Sequence, residues 1–112
     1  MLSLFIETIK NHPDQLTFEN VIETIDHYYE YIPTQFSNGG VDNAAGGNEG
    51  SWKVFAFAQL NKLNEQQTLA CFAEHYRDVL ADPHGESHGN IRQFIQNGWR
   101  GIKFDRPALK PR

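Results

Sequence analysis

Residues 43–63, NAAGGNEGSWKVFAFAQLNKL, carry a Gly/Asn-rich loop straight into the most apolar helical segment of the chain. Gly46, Gly47 and Gly50 permit backbone angles that other residues avoid, and Ser51 is placed to cap the first turn. Trp52, Phe55, Ala56, Leu60 and Leu63 then recur at helical spacing, while Val54, Phe57 and Ala58 occupy the other side. A helix apolar almost all round must be covered on most sides. The segment therefore predicts a mainly α fold, a compact single domain of five helices around a buried central helix over 52–63.

The flanking sequence supplies the covering elements. Leu2, Phe5, Ile6 and Ile9 mark one face of a short helix that Pro13 ends. Thr17 is a capping residue, and Phe18, Val21, Ile22, Ile25, Tyr28, Tyr29 and Ile32 predict a helix over about 18–31. Pro33 stops it and pushes Ile32 toward an extended backbone. Residues 34–37 then read as a short strand before the Asn38-Gly39 turn signal, so a small hairpin is expected across 34–43. Asn64 and Gln67 make a capping-box variant, and Leu69, Phe72, Ala73, Tyr76, Val79 and Leu80 predict one helix over 65–81. Pro83 and Gly85 break it. Ile91, Phe94 and Ile95 open a last helix that Gly98 terminates. Residues 101–104 alternate like a strand and are expected to pair with 34–37, completing a two- or three-stranded β element. The globular domain is read as 1–105, with 106–112 a basic, Pro-containing tail that should fray.

Composition narrows the partners. At 112 residues the chain is one domain. Its 14 acidic and 10 basic residues leave a net charge of -4, with no cluster of Lys and Arg before the tail, which argues against nucleic acid. The single cysteine, Cys71, excludes an internal disulfide and a multi-cysteine zinc site. No stretch reaches the roughly 18 apolar residues a membrane span needs, and no basic segment leads into an apolar run at the start. A cytoplasmic protein is expected, with no membrane, no cofactor, and a protein or small-molecule ligand as partner.

Four groups of residues bear on chemistry. The glycine loop at a helix start offers backbone amides to an anion, but it is not a phosphate-binding loop: Gly50 precedes Ser51 and Trp52, and Lys53 lies inside the helix. Glu49 also places negative charge there. The loop 38–51 with adjacent aromatics is nevertheless the candidate binding surface, through Phe36, Asn43, Asn48, Glu49, Ser51 and Trp52. His84 and His88 form H-x-x-x-H around Glu86; Pro83, Gly85 and Gly89 mark a loop, and a third ligand would have to be Asp82, Asp78 or His75. They are read as solvent-facing or capping histidines, so no metal site is expected. Cys71 and His75 stand four apart, yet a mid-helix thiol near Glu74 and Asp78 lacks an activating environment. Tyr31, Phe36, Trp52 and Trp99 could line a groove, although aromatics at helical spacing are mostly core. An enzyme using Glu49, Asp26 or the histidines is the competing reading. Spacing yields no complete set of nucleophile, base and orienting group.

The runs IPTQFSNGGVDNAAGGNEGSWKVFAFAQL, QTLACFAEHYRDVL and DPHGESHGNIRQFIQNGWRGIKF, with the NHPD turn at 11–14, resemble the HopJ family of bacterial type III effector proteins. The resemblance spans nearly the whole chain. It implies a small bacterial protein grouped with effectors delivered into host cells, with a host protein as partner, and it carries over no catalytic residues. Against export, an amphipathic helix starting by residue 2 leaves no flexible N-terminal segment, which favours residence in the bacterial cytoplasm.

Overall fold

The computed structural model describes residues 2–33, 35–39, 41–43, 48–104 and 109–112, with backbone alone at 41–43. It is mainly helical. Helix α1 (Leu2–Asn11) ends before a 3-10 turn at Pro13–Gln15, and α2 (Phe18–Tyr28) starts where Thr17 accepts a hydrogen bond from the Asn20 amide at 3.2 Å. Strands β1 (Tyr29–Tyr31), β2 (Phe36–Asn38) and β3 (Val41–Asn43) follow, then α3 (Glu49–Leu60). The Asn64 side chain accepts from the Gln67 amide at 2.7 Å, and Gln67 returns the bond at 3.0 Å, so α4 (Glu65–Ala70) begins with a complete capping box. Helices α5 (Glu74–Ala81) and α6 (Gly89–Asn97), a 3-10 turn at Gly98–Gly101, and strands β4 (Ile102–Phe104) and β5 (Leu109–Pro111) complete the chain. Gly98 ends α6 at φ 59°, a conformation that suits glycine.

Every residue of α3 from Trp52 to Ala58 is buried. Phe55 meets the rings of Phe36, Phe72, Phe94 and Trp99 at centroid separations of 6.1, 5.3, 5.1 and 6.4 Å. One side chain thus joins α3 to β2, to the turn between α4 and α5, and to α6 with the 3-10 turn that follows it. Strand β2 pairs antiparallel with both β3 and β4, placing Phe36 opposite Asn43 and Phe104. Asn38 is fully buried on β2, where its amide donates to the Asn90 carbonyl at 2.7 Å and fixes the sheet to the start of α6.

Several expectations are corrected. Six α-helices are present among the described residues instead of five, because the helix expected over 65–81 breaks between Ala70 and Glu74. Ala73 takes φ 51°, a strained backbone for a residue with a side chain, while Cys71, Phe72 and Ala73 are all buried. Burial of that turn offsets a backbone cost of about 1–3 kcal/mol. Helix α2 stops at Tyr28, short of 31, because Tyr29–Tyr31 pairs antiparallel with Leu109–Pro111. The segment expected as a frayed tail is therefore anchored at that strand: Leu109 is buried, and Arg112 donates to the carbonyls of Tyr28 and Asp26 at 3.0 and 2.9 Å. Leu60, assigned to the core stripe, is half-exposed at the end of α3, whereas Leu63 is buried beyond it.

Candidate functional site

Helix α3 starts earlier than its cap signal indicates. Asn48, at φ 51° and ψ 45°, is the residue that precedes the helix, so Ser51 lies inside the first turn and is not the cap. Gly50 is needed there for space: a Cβ would stand 2.9 Å from Cζ of Phe18. Gly46 and Gly47, to which conformational freedom was assigned, lie outside the described residues, as does the side chain of Asn43, whose backbone pairs with Phe36.

The predicted binding residues do not form one surface. Phe36 and Trp52 are core residues, 1% and 0% exposed. Tyr31 packs edge-on against Trp52 at 4.5 Å, and the Trp52 Nε1 atom has no hydrogen-bond partner among the described residues. Glu49 turns to Lys53, whose buried ammonium lies 2.9 Å from its carboxylate, 2.7 Å from that of Asp26 and 5.1 Å from the centre of the Tyr31 ring. Burial alone lowers the affinity of Lys53 for its proton. The hydrogen bonds and charges of Asp26 and Glu49 outweigh burial and hold the group above its ordinary value. The cluster is a closed ionic clamp between α2 and α3.

Asn48 and Ser51 instead border a cavity of about 380 Å³ whose other walls include Phe18, Phe72, His75 and His88. The first turns of four helices meet there. Phe18 opens α2, Asn48 to Ser51 open α3, His75 is the second residue of α5, and His88 to Ile91 open α6. Helix α2 is capped by Thr17, and the Glu74 carboxylate accepts from the Phe18 amide at 2.7 Å. That amide, with Glu74's own, holds the Glu74 carboxyl below its ordinary value against the opposing effect of burial. Among the described residues, neither Asn48 before α3 nor His88 before α6 caps its helix with its own side chain, and both are in left-handed conformation. Amides at helix starts, with the helix dipoles behind them, favour negative charge.

The two imidazoles face one another with ring centres 5.0 Å apart. The edge of Phe18 packs on His75 at 4.6 Å, and His88 Nε2 stands 3.7 Å from Oδ2 of Asp78. His75, Asp78 and His88 thus converge, with ligand atoms all within 4.8 Å of one another. The pair weighed in the sequence is not the pair the fold assembles. His84 is exposed and lines a different depression beside Arg92 and Leu80. The usable signal was the three-residue spacing of His75 and Asp78 on one helix, followed by a Pro-Gly turn that returns the chain past them. Cys71 leaves the comparison: it is buried in the turn before α5, off the helix that carries His75, and burial pushes its thiol up to about 12.

Residues 2–109 match the family model described as HopJ type III effector protein. A search of curated proteins finds no match. Among solved structures, the crystal structure of VPA0580, a protein of unknown function, is similar over 100% of this chain and 94% of its own, at 41% identity and a TM-score of 0.98. Among the described residues no helix is long and apolar enough to cross a membrane.

Proposed function

The chain belongs to the HopJ family of type III effector proteins, and from that premise and the cavity we propose that it acts as a small binding protein for an acidic ligand. One observation carries the reading: four helix first turns and two imidazoles open onto one cavity of about 380 Å³. Amides of the first turns of α3 and α6 supply donors for a carboxylate or phosphate, and the dipoles add favourable potential. Glu49, the acidic residue that would oppose an anion at α3, has its charge engaged by Lys53. Of the residues named as the binding surface, Asn48 and Ser51 border this cavity, while Phe36 and Trp52 belong to the core. Delivery into a host cell, and a host protein as the bearer of the acidic group, follow from the family name and belong to the same proposal.

Titration of the protein with inorganic phosphate, in the presence of a chelator and followed by amide NMR, tests it. Saturable shifts concentrated at Gly50, Ser51, Gly89 and Asn90 are expected. Shifts that are absent, or that spread over surface Lys and Arg, overturn it. The second reading, a small hydrolytic enzyme, gains from the paired histidines and loses Glu49, whose carboxylate is held at Lys53.

A further inference from the structure

We infer that His75, Asp78 and His88 bind a divalent transition-metal ion, zinc by preference, at the rim of the cavity. Two imidazoles and one carboxylate are a zinc-type donor set with one position left open. The residues come from two elements, His75 and Asp78 from α5 and His88 from the residue before α6. Their ligand atoms lie within 4.8 Å of one another, against about 3.4 Å between donors around a tetrahedral zinc with bonds of about 2.0–2.1 Å. Closing that difference takes movement of up to about 1.4 Å by side-chain rotation. Asp78, with a side chain 65% exposed, is free to make it.

The existing contacts do not account for the cluster as it stands. At 3.7 Å, the approach of His88 Nε2 to Asp78 Oδ2 is too long for a hydrogen bond. The opposed imidazoles gain little from each other, and both suit a metal as neutral ligands. Placement is nevertheless specific. Phe18 packs edge-on against His75, Glu74 ties α5 to the first amide of α2, and His88 is held at φ 55° while its carbonyl accepts from the Arg92 amide at 3.1 Å. Left-handed backbone at a non-glycine residue carries a cost that a ligating role explains. The converging helix starts disfavour a bare cation, and Asp78 offsets them from the solvent side. With two neutral imidazoles and one carboxylate, the bound ion keeps a net positive charge directed at the same cavity.

Metal binding rests on three side chains alone, so it can fail without the anion reading and the reverse. The probe is Co²⁺, a coloured stand-in for zinc, added to chelator-treated protein in a non-coordinating buffer free of phosphate. Expected is one equivalent bound with the intense visible absorption of a four-coordinate site, displaced by Zn²⁺. His75→Ala and His88→Gly should abolish it and Asp78→Asn weaken it at least tenfold, while His84→Ala leaves it intact. Glycine suits the left-handed backbone at 88, so His88→Gly removes the imidazole without threatening the fold. Circular dichroism confirms folding of each variant. Absence of the absorption in the wild type, or its persistence in folded His88→Gly, overturns the proposal.

Discussion

Two charged clusters lie near the start of α3 and differ in how they are closed. Around Lys53, the ammonium meets Asp26 and Glu49 at 2.7 and 2.9 Å, and its own side chain is only 9% exposed. Around His88, the nearest carboxylate oxygen among the described residues is 3.7 Å away, and His75 and His88 face a cavity. A desolvated charge with short partners is a structural device, since any loss of a partner leaves the charge stranded. Polar groups gathered without closing on each other retain capacity for a ligand. The two clusters divide by closure: Glu49 belongs to the first, whereas Ser51 borders the second.

The contrast can be broken by measurement. Phe55→Ala sets the scale, because the ring is wholly buried among four others; chemical denaturation should show a loss of about 3–5 kcal/mol. A loss below about 1 kcal/mol would remove α3 from the core. Lys53→Ala comes next. Breaking a buried ion pair costs about 3–5 kcal/mol, reduced here to about 2 because Asp26 and Glu49 are half-exposed and water takes up their charge. A neutral result would mean that the clamp is closed in distance and not in energy.

Glu74 gives a smaller effect with a defined pH window. The Phe18 amide holds its carboxyl below the ordinary value of 4.5 in the folded chain. Its stabilisation is therefore complete above the unfolded value and is lost as pH falls through the folded one. Glu74→Gln should cost about 0.5 kcal/mol at neutral pH, because the carboxylate is exposed and solvent screens most of the gain from the hydrogen bond. Thermal melts of the variant should also decline less steeply in acid than those of the wild type; parallel pH curves would show that the contact does not persist in solution. The smallest effect is expected from His88→Gly, within about 0.5 kcal/mol of the wild type, because relief of the left-handed backbone offsets any lost packing. A large loss there would make the histidine cluster structural and erase its difference from the Lys53 clamp.

Local signals were legible where their partners lie within one helical turn. Thr17 with Asn20, Asn64 with Gln67, and Gly98 at the end of α6 all bond or bend within a few residues of themselves. The apolar surround of α3 was readable for the same reason, since helical periodicity alone places Phe55 and Val54 on different faces. The Asn38-Gly39 signal located the turn between β2 and β3, and the alternation at 101–104 located the strand that pairs with the other edge of β2. The candidate site was legible only in fragments. Asn48 and Ser51 stand out by composition, while spacing sets His88 beside His84 and the fold sets it beside His75.

The sequence by itself determined a mainly helical domain, the caps at Thr17 and Asn64, the stop at Gly98, and its family, because these depend on short-range hydrogen bonds, apolar periodicity and extended runs of residues. Only the tertiary structure decided that Tyr29 to Tyr31 leave a helical stripe to pair with residues 109–111, and that the chain breaks at Ala73. It alone gave Lys53 to Asp26 from another helix, and set His75 and Asp78 against His88 across an intervening loop. Each of these outcomes balances a local preference of about 1–3 kcal/mol against burial or pairing with distant residues. No window along the chain contains both sides of that balance.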